Sequence, residues 1–295
     1  MTELVVISGK GGTGKTSLVA SYAVLAHQAV LADCDVDAAD LHLVLEPQIH
    51  RRQAFTGGKK ARIKPGHCTA CGKCEELCRF DAISFAGPGN GRVSRTFHVE
   101  PAACEGCGVC VHYCAENAIE FAPVVAGEWF VSETRCGPMV HAQLGIGAGN
   151  SGKLVTIVRA EAQRIAKERG GGLILVDGSP GIGCPVIASI TGASRVLAVT
   201  EPTLSGEHDL ERVLHLARHF GIPATVCVNK WDLNGAIAQR IEGRAGSAGA
   251  AILPRVPYDS AITDAQRQKM TVVEFGDTPA AQAIRQGWND LTKTL

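Results

Sequence analysis

The sequence predicts an α/β fold, a doubly wound and mostly parallel sheet, interrupted by a smaller inserted α+β domain. Two observations predict the sheet and a third predicts the insert. "ELVVIS", "AVLADC", "LILVDGS", "RVLAVTEP" and "ATVCVN" are short runs rich in Val, Ile and Leu that end in polar or glycine residues; parallel strands buried on both faces read this way. Longer amphipathic segments near 15–27, 151–169, 205–220 and 278–293 alternate with them, as expected of strand–helix–strand crossovers. Eight of the twelve cysteines fall between residues 68 and 114, in the middle of that alternation.

The chain has 295 residues, enough for roughly two domains, and 45% hydrophobic residues, enough for at least one full core. Its 29 basic and 29 acidic residues leave no net field to hold a polyanion, which argues against nucleic acid or an anionic membrane as the main partner. The opening "MTEL" lacks the basic start of a signal peptide. The least charged stretch, between Asp177 and Arg195, is too short and too rich in Gly and Pro to span a bilayer, so a cytoplasmic location is expected. In that setting a dense local group of cysteines reads as metal-binding, not as a disulfide framework.

"GGKKARIKPG" precedes the cysteine block and "FAPVVAG" follows it, and both read as crossings between units. The insert is therefore placed at 61–122, within a discontinuous domain made of 1–60 and 123–295. The insert also repeats itself: "CTACGKCEELCRFDAISF" and "CEGCGVCVHYCAENAIEF" share cysteine spacing and a closing Ala-Ile-x-Phe.

Gly9-x-x-x-x-Gly14-Lys15-Thr16, behind an apolar strand and at the head of a helix, is the P-loop pattern. The backbone N–H groups from Gly9 to Ser17, with Gly11, Gly12 and Thr13 in the turn, are expected to meet phosphate oxygens at a helix N-terminus. Lys15 is expected on the β/γ-phosphates and the Thr16 hydroxyl on Mg²⁺. The loop carries a second lysine, Lys10.

With both lysines, "KGGTGKT" resembles the deviant Walker A loop of the MinD/ParA superfamily, which includes the nitrogenase iron protein and Mrp-type ATPases. The resemblance implies ATP as the ligand and a nucleotide-sandwich dimer, with itself or with a related chain, in which Lys10 reaches the other subunit's phosphates. "LADCDVDAADL" matches the family's switch I, which assigns Asp35 to the attacking water; "LILVDGSPGIG" matches Walker B and switch II, which puts Asp177 on Mg²⁺ through water. Asp37 and Asp40 read as caps or solvated charges. Asn229 of "VNKWD" and Pro257 of "VPYD" fall where MinD-like proteins hold the base, and Asn229-Lys230-x-Asp232 is also similar to the guanine-reading motif of GTPases.

Cys68-x-x-Cys71-x-x-Cys74-x-x-x-Cys78 and Cys104-x-x-Cys107-x-x-Cys110-x-x-x-Cys114 each resemble the bacterial ferredoxin run, in which the fourth cysteine ligates the cluster of the other run. The resemblance implies two 4Fe-4S clusters, one on Cys68, Cys71, Cys74 and Cys114, the other on Cys104, Cys107, Cys110 and Cys78. Zinc sites more often use paired C-x-x-C units. The proline that usually follows the fourth cysteine is replaced by Arg79 in one run and Ala115 in the other. Elsewhere, Cys34 and Cys227 read as buried thiols and Cys136 belongs to no motif. Cys184, seven residues after Asp177, shares the offset of a cysteine that holds a cluster between subunits in the nitrogenase iron protein.

As a whole, the chain is similar to MinD-superfamily ATPases that carry an inserted ferredoxin domain, a likeness that extends through "NSGKLV" at 150–155 and "TEPTLSGEHDL". It implies ATP hydrolysis coupled, through a nucleotide-gated dimer, to electron transfer to a redox partner or to metal-cluster maturation on a client protein. The alternatives are a ParA/MinD-type positioning ATPase with the clusters as redox sensors, or a GTPase. The last segment puts Ile284, Trp288, Leu291 and Leu295 on one helical face with few bases nearby, so it is expected to pack on the domain and not on a membrane.

Overall fold

The structure, a computed structural model, describes residues 1–145, 148–149 and 152–295; positions 150 and 151 of the "NSGKLV" segment lie outside the described residues. It divides into two compact units: 1–53 with 128–144 and 150–295, and 54–127 with 145–149. The insert expected at 61–122 lies within the range of the second unit.

The chain begins with β1 (Thr2–Ser8), the glycine-rich loop and α1 (Lys15–Ala26), then β2 (Val30–Asp33), α2 (Leu41–Leu45) and β3 (Gln48–Ile63). Short elements follow: α3 (Lys73–Glu76), β4 (Ile83–Gly87), β5 (Thr96–Val99) and α4 (Val109–His112). Next come β6 (Ile119–Thr134) and β7 (Gly137–Leu144). Alternation resumes with α5 (Lys153–Glu168), β8 (Leu173–Asp177), α6 (Cys184–Ile190), β9 (Arg195–Thr200), α7 (Leu204–His219) and β10 (Ala224–Val228). It closes with α8 (Gly235–Ser247), β11 (Ala251–Ile252), α9 (Ala261–Arg267), α10 (Val272–Phe275) and α11 (Pro279–Thr292).

The sheet order is β11-β10-β9-β1-β8-β2-β7-β6-β3, parallel from β11 through β7. All five apolar runs are strands of it, and the four amphipathic segments contain α1, α5, α7 and α11. β1 is buried from Glu3 to Ser8 because it lies between β9 and β8 with helices packed over the sheet. On one face Leu18 and Tyr22 of α1 share a core with Ile284, Trp288 and Leu291 of α11, the Tyr22 and Trp288 rings 5.0 Å apart. Leu295, expected on that apolar face, lies beyond the helix end and is exposed.

The two segments read as crossings between units are strand: most of "GGKKARIKPG" belongs to β3, and "FAPVVAG" lies inside β6. β3 has no apolar alternation, and most of its residues before Ala61 are exposed. It ends the sheet order, and basic residues on such a strand discourage further pairing.

In the second unit β4 and β5 pair antiparallel, with Ile83 opposite Val99. A small core of Ala61, Ile63, Ile83, Phe97, Val99, Ala118 and Ile119 surrounds Cys68, and Cys74, Cys78, Cys104, Cys110 and Cys114 pack against it. The sequence repeat is also a backbone repeat. Left-handed residues recur as Ala70 and Gly106 (φ 58° and 66°), Gly72 and Gly108 (80° and 75°), and Asp81 and Asn117 (50° and 49°), always at the interval that separates Cys68 from Cys104. At Gly106 the close approach is specific: a Cβ there would lie 2.1 Å from the Lys59 carbonyl oxygen.

Candidate nucleotide site and cysteine centres

Ser8, Asp33, Asp177 and Thr200 close β1, β2, β8 and β9 at the carboxyl edge of the sheet, where open α/β folds bind ligands. Asp33 and Asp177 are register partners on adjacent strands. Beyond them, the Cys34 N–H donates to the Asp177 carbonyl (2.8 Å) and the Ser179 hydroxyl to the Cys34 carbonyl (2.7 Å), tying the two following loops together.

Lys15, in the first turn of α1, is buried among these acids; it pairs with Asp177 and lies 3.3 Å from Asp35. Burial disfavours its charge, but Asp177 and Asp35 more than compensate and hold its pKa above the ordinary lysine value. Burial, reinforced by the Asp177 charge, lifts Asp33 well above the usual carboxylate range, and burial also raises Asp35. Asp33 accepts the N–H groups of Asp35 (3.2 Å) and Leu41 (3.3 Å), so it shapes the loop that carries Asp35. Among the described residues Thr13 Oγ1 and Asp177 Oδ2 are buried with no hydrogen-bond partner. Buried polar atoms of that kind are costly unless a ligand or its water completes them.

A cavity of about 710 Å³ opens here, a size that suits a nucleotide. It brings together Gly11, Gly12, Thr13, Gly14, Lys15, Thr16, Ser17, Asp35, Asn229 and Pro257 from the expected site. Gly14 is left-handed at φ 86°, and a Cβ on it would lie 2.3 Å from the Asn229 amide nitrogen. That amide donates to the Thr13 carbonyl at 2.8 Å, and the Asn229 oxygen accepts the Lys230 N–H at 3.0 Å. Asn229 therefore holds the loop. Asp232, the other half of the guanine-like motif, accepts the Tyr258 N–H at 2.7 Å and does not line the cavity.

Gly9, Lys10 and Asp177 do not line the cavity either. Gly9 sits against α7, where a Cβ would come within 2.3 Å of the Asp209 Cβ. Lys10 pairs with Glu201 at 2.6 Å and donates to Ser205 at 3.0 Å. Tyr258 of the "VPYD" strip lines the cavity as well, and sequence reasoning missed Gln266, which also lines it and donates to the Ser17 hydroxyl at 2.8 Å. Gln266 stands in no phosphate motif, and no signal in the sequence pointed to it.

The eight clustered cysteines sort into two cavities. One, of about 120 Å³, is lined by Cys68, Cys71, Cys74 and Cys114. The other, of about 20 Å³, is lined by Cys104, Cys107, Cys110 and Cys78. Each takes three thiols from one run and the fourth from the other. Burial pushes the Cys74 thiol up to about 11, with Cys68 and Cys71 adding to it, and burial raises Cys110, with Cys104 adding. The Ala118 N–H reaches Cys114 Sγ at 3.3 Å. Among the described residues no three His, Cys, Asp or Glu side chains converge as ligands of a single ion, whereas a cubane cluster gives each thiolate a different iron.

Cys184 is exposed at the start of α6, and Cys34, Cys136 and Cys227 are buried, with Cys227 pushed by burial to about 12. Among the described residues no helix is long and apolar enough to cross a membrane.

Residues 4–272 match the family described as the CobQ/CobB/MinD/ParA nucleotide binding domain. An uncharacterized protein of Methanocaldococcus jannaschii, MJ0578, is 32% identical over 236 residues, 79% of each chain. Among solved structures, septum site-determining MinD of Pyrococcus horikoshii complexed with Mg-ADP aligns at TM-score 0.58 and 18% identity, covering 100% of this chain and 97% of that one. The Aquifex aeolicus MinC:MinD cell division complex aligns at TM-score 0.57 and 18% identity, covering 99% and 96%. A Cyanothece McdA–ATP complex aligns at TM-score 0.55 and 14% identity, covering 99% and 95%.

Proposed function

Given that the chain belongs to the CobQ/CobB/MinD/ParA nucleotide-binding family, we propose that it binds and hydrolyses ATP with Mg²⁺ and couples that turnover to two 4Fe-4S clusters held by the cysteine unit. In this reading the P-loop cavity takes the nucleotide, Lys15 transfers from its acids to the phosphates, Thr16 serves Mg²⁺, Asp177 acts on it through water, and Asp35 orients the attacking water. The unpartnered Asp177 Oδ2 and Thr13 Oγ1 fit that use, as does the Mg-ADP bound by the similar MinD. ATP is favoured over GTP because Asp232 is committed to the Tyr258 backbone. Lys10, directed away from its own cavity, serves the second nucleotide of a sandwich dimer.

The observation that carries the iron–sulfur half is the sorting of the eight cysteines into two crossed sets of four. Such sets fit clusters of the bacterial ferredoxin type, which supply one-electron chemistry when bound. The unit around 61–122 is accordingly read as an inserted two-cluster ferredoxin domain, and the redox partner or client protein docks on the assembled dimer.

A second reading has a specific observation behind it. The similar solved structures include cell-division MinD and McdA, and the comparisons favour a positioning ATPase of that kind over electron transfer; the cysteine unit then acts as a redox sensor. Anaerobic purification, iron and sulfide analysis, and EPR of the reduced protein with and without MgATP separate the two. Clusters whose spectrum or potential responds to MgATP support coupling. Clusters indifferent to MgATP, in a protein whose redox state alters ATP turnover, support the sensor. Zinc without acid-labile sulfide rejects both.

A further inference from the structure

Lys10 lies within the glycine-rich loop, Lys230 reaches that loop from beyond β10, and one carboxylate pairs with both. Glu201, just past β9, places Oε1 2.6 Å from Lys10 Nζ and Oε2 3.5 Å from Lys230 Nζ. Lys230 in turn donates to the Gly12 carbonyl at 3.0 Å, and Lys10 is steadied by Ser205 at 3.0 Å and Thr203 at 3.4 Å at the head of α7. Lys10 holds the carboxylate below its ordinary pKa against a burial effect that would raise it, and Lys230 adds to this. The Lys10 side chain keeps 32% of its surface exposed and Glu201 keeps 16%, so the pair is accessible enough to exchange partners.

We infer that Glu201 is a positioning residue that holds Lys10 on its own chain and releases it when a second, nucleotide-loaded copy arrives. The inference rests on the sandwich reading of Lys10 and adds its regulation. An arriving polyphosphate offers Lys10 more negative charge than one carboxylate does, so the exchange proceeds only where a second nucleotide is present. Glu201 thereby subtracts from the association energy of the dimer and makes assembly depend on nucleotide, a use of competing contacts that sharpens specificity at the expense of affinity. With two such pairs per symmetric dimer the effect is counted twice.

The test uses the full chain carrying Asp35→Ala, which retains ATP in the proposed scheme, followed by sedimentation with saturating MgATP. Adding Glu201→Gln is expected to tighten self-association by roughly ten-fold, about three-fold per released pair. Glu201→Asp, which keeps the charge, stays close to the parent. The gain disappears when Lys10→Ala is also present, because the two residues form one coupled unit. A parental thermal melt for Glu201→Gln establishes that it is folded, and Glu201→Ala provides a second neutral variant. Unchanged or weaker assembly of both neutral variants, with the Asp35→Ala parent dimeric, overturns the Glu201 assignment alone. A gain that persists with Lys10→Ala overturns it as well. If parent and variants all remain monomeric with MgATP, the sandwich reading falls first and Glu201's role falls with it.

Discussion

The Lys15 ammonium lies 3.3 Å from the Asp35 carboxylate while it also pairs with Asp177, so the lysine proposed for phosphate is matched to the two carboxylates proposed for catalysis. In the proposed scheme the phosphates take the lysine and leave Asp35 to orient water. Lys15→Ala is therefore expected to weaken ATP binding at least ~100-fold by calorimetry. Asp35→Ala is expected to keep binding while turnover falls ~10²–10⁴-fold, the range for loss of a positioned base. Parental phosphate release from Asp35→Ala would remove Asp35 from that role.

The crossed cysteine sets predict how paired substitutions behave. Cys71→Ala with Cys114→Ala alters one set and is expected to leave about four irons per chain, whereas Cys71→Ala with Cys78→Ala alters both and leaves close to none. Iron and sulfide assays of the two double variants read the difference directly. The reverse pattern, with the Cys71→Ala and Cys114→Ala pair losing both clusters and the Cys71→Ala and Cys78→Ala pair keeping one, would show that the runs are not crossed.

Asn229 and Asp232 should separate in a competition between ATP and GTP. Asn229→Ala frees the Thr13 carbonyl and is expected to weaken both nucleotides about 10-fold, because the loop and not the base has lost its support. Asp232→Ala is expected to leave the ATP:GTP ratio unchanged, since its carboxylate holds the Tyr258 N–H. A ratio that shifts towards ATP with Asp232→Ala would restore the guanine-reading motif.

His141, on β7, predicts a pH dependence of stability. Its ring stacks on Phe130 at 4.9 Å, Nε2 lies 2.9 Å from the Ser132 hydroxyl, and burial, with His42 nearby, lowers its pKa to about 4. The unfolded chain therefore takes up the proton first. The contribution is complete above the ordinary value of about 6.5 and is lost as the pH falls towards 4, by at most about 3 kcal/mol. Thermal melts of His141→Leu are expected to lose that part of the slope between pH 7 and pH 4, and an unchanged slope would exclude His141 as its source.

What could be read from the sequence was what is local in the chain. The apolar runs became strands because each is buried on both faces, and the three-cysteine part of each set is local, whereas the fourth member, from the other run, came from the resemblance and not from spacing. β3 was hidden because an edge strand rich in Lys and Arg carries no alternation. The pairing of Lys10 with Glu201 was hidden for another reason. It exists because β9 lies beside β1 in the sheet, a neighbourhood created by crossovers and invisible to spacing. Asn229 was expected beside the base, but a motif records which residue is present and not which atom it holds; here its amide holds the loop.

The two cysteine runs are cross-braced, since each socket borrows its fourth wall from the opposite half. Neither half is a transferable module: a graft of one run alone would carry a socket with three corners. Any shear between the halves would open both sockets at once, so a surface that twisted this unit could disturb two centres without touching either.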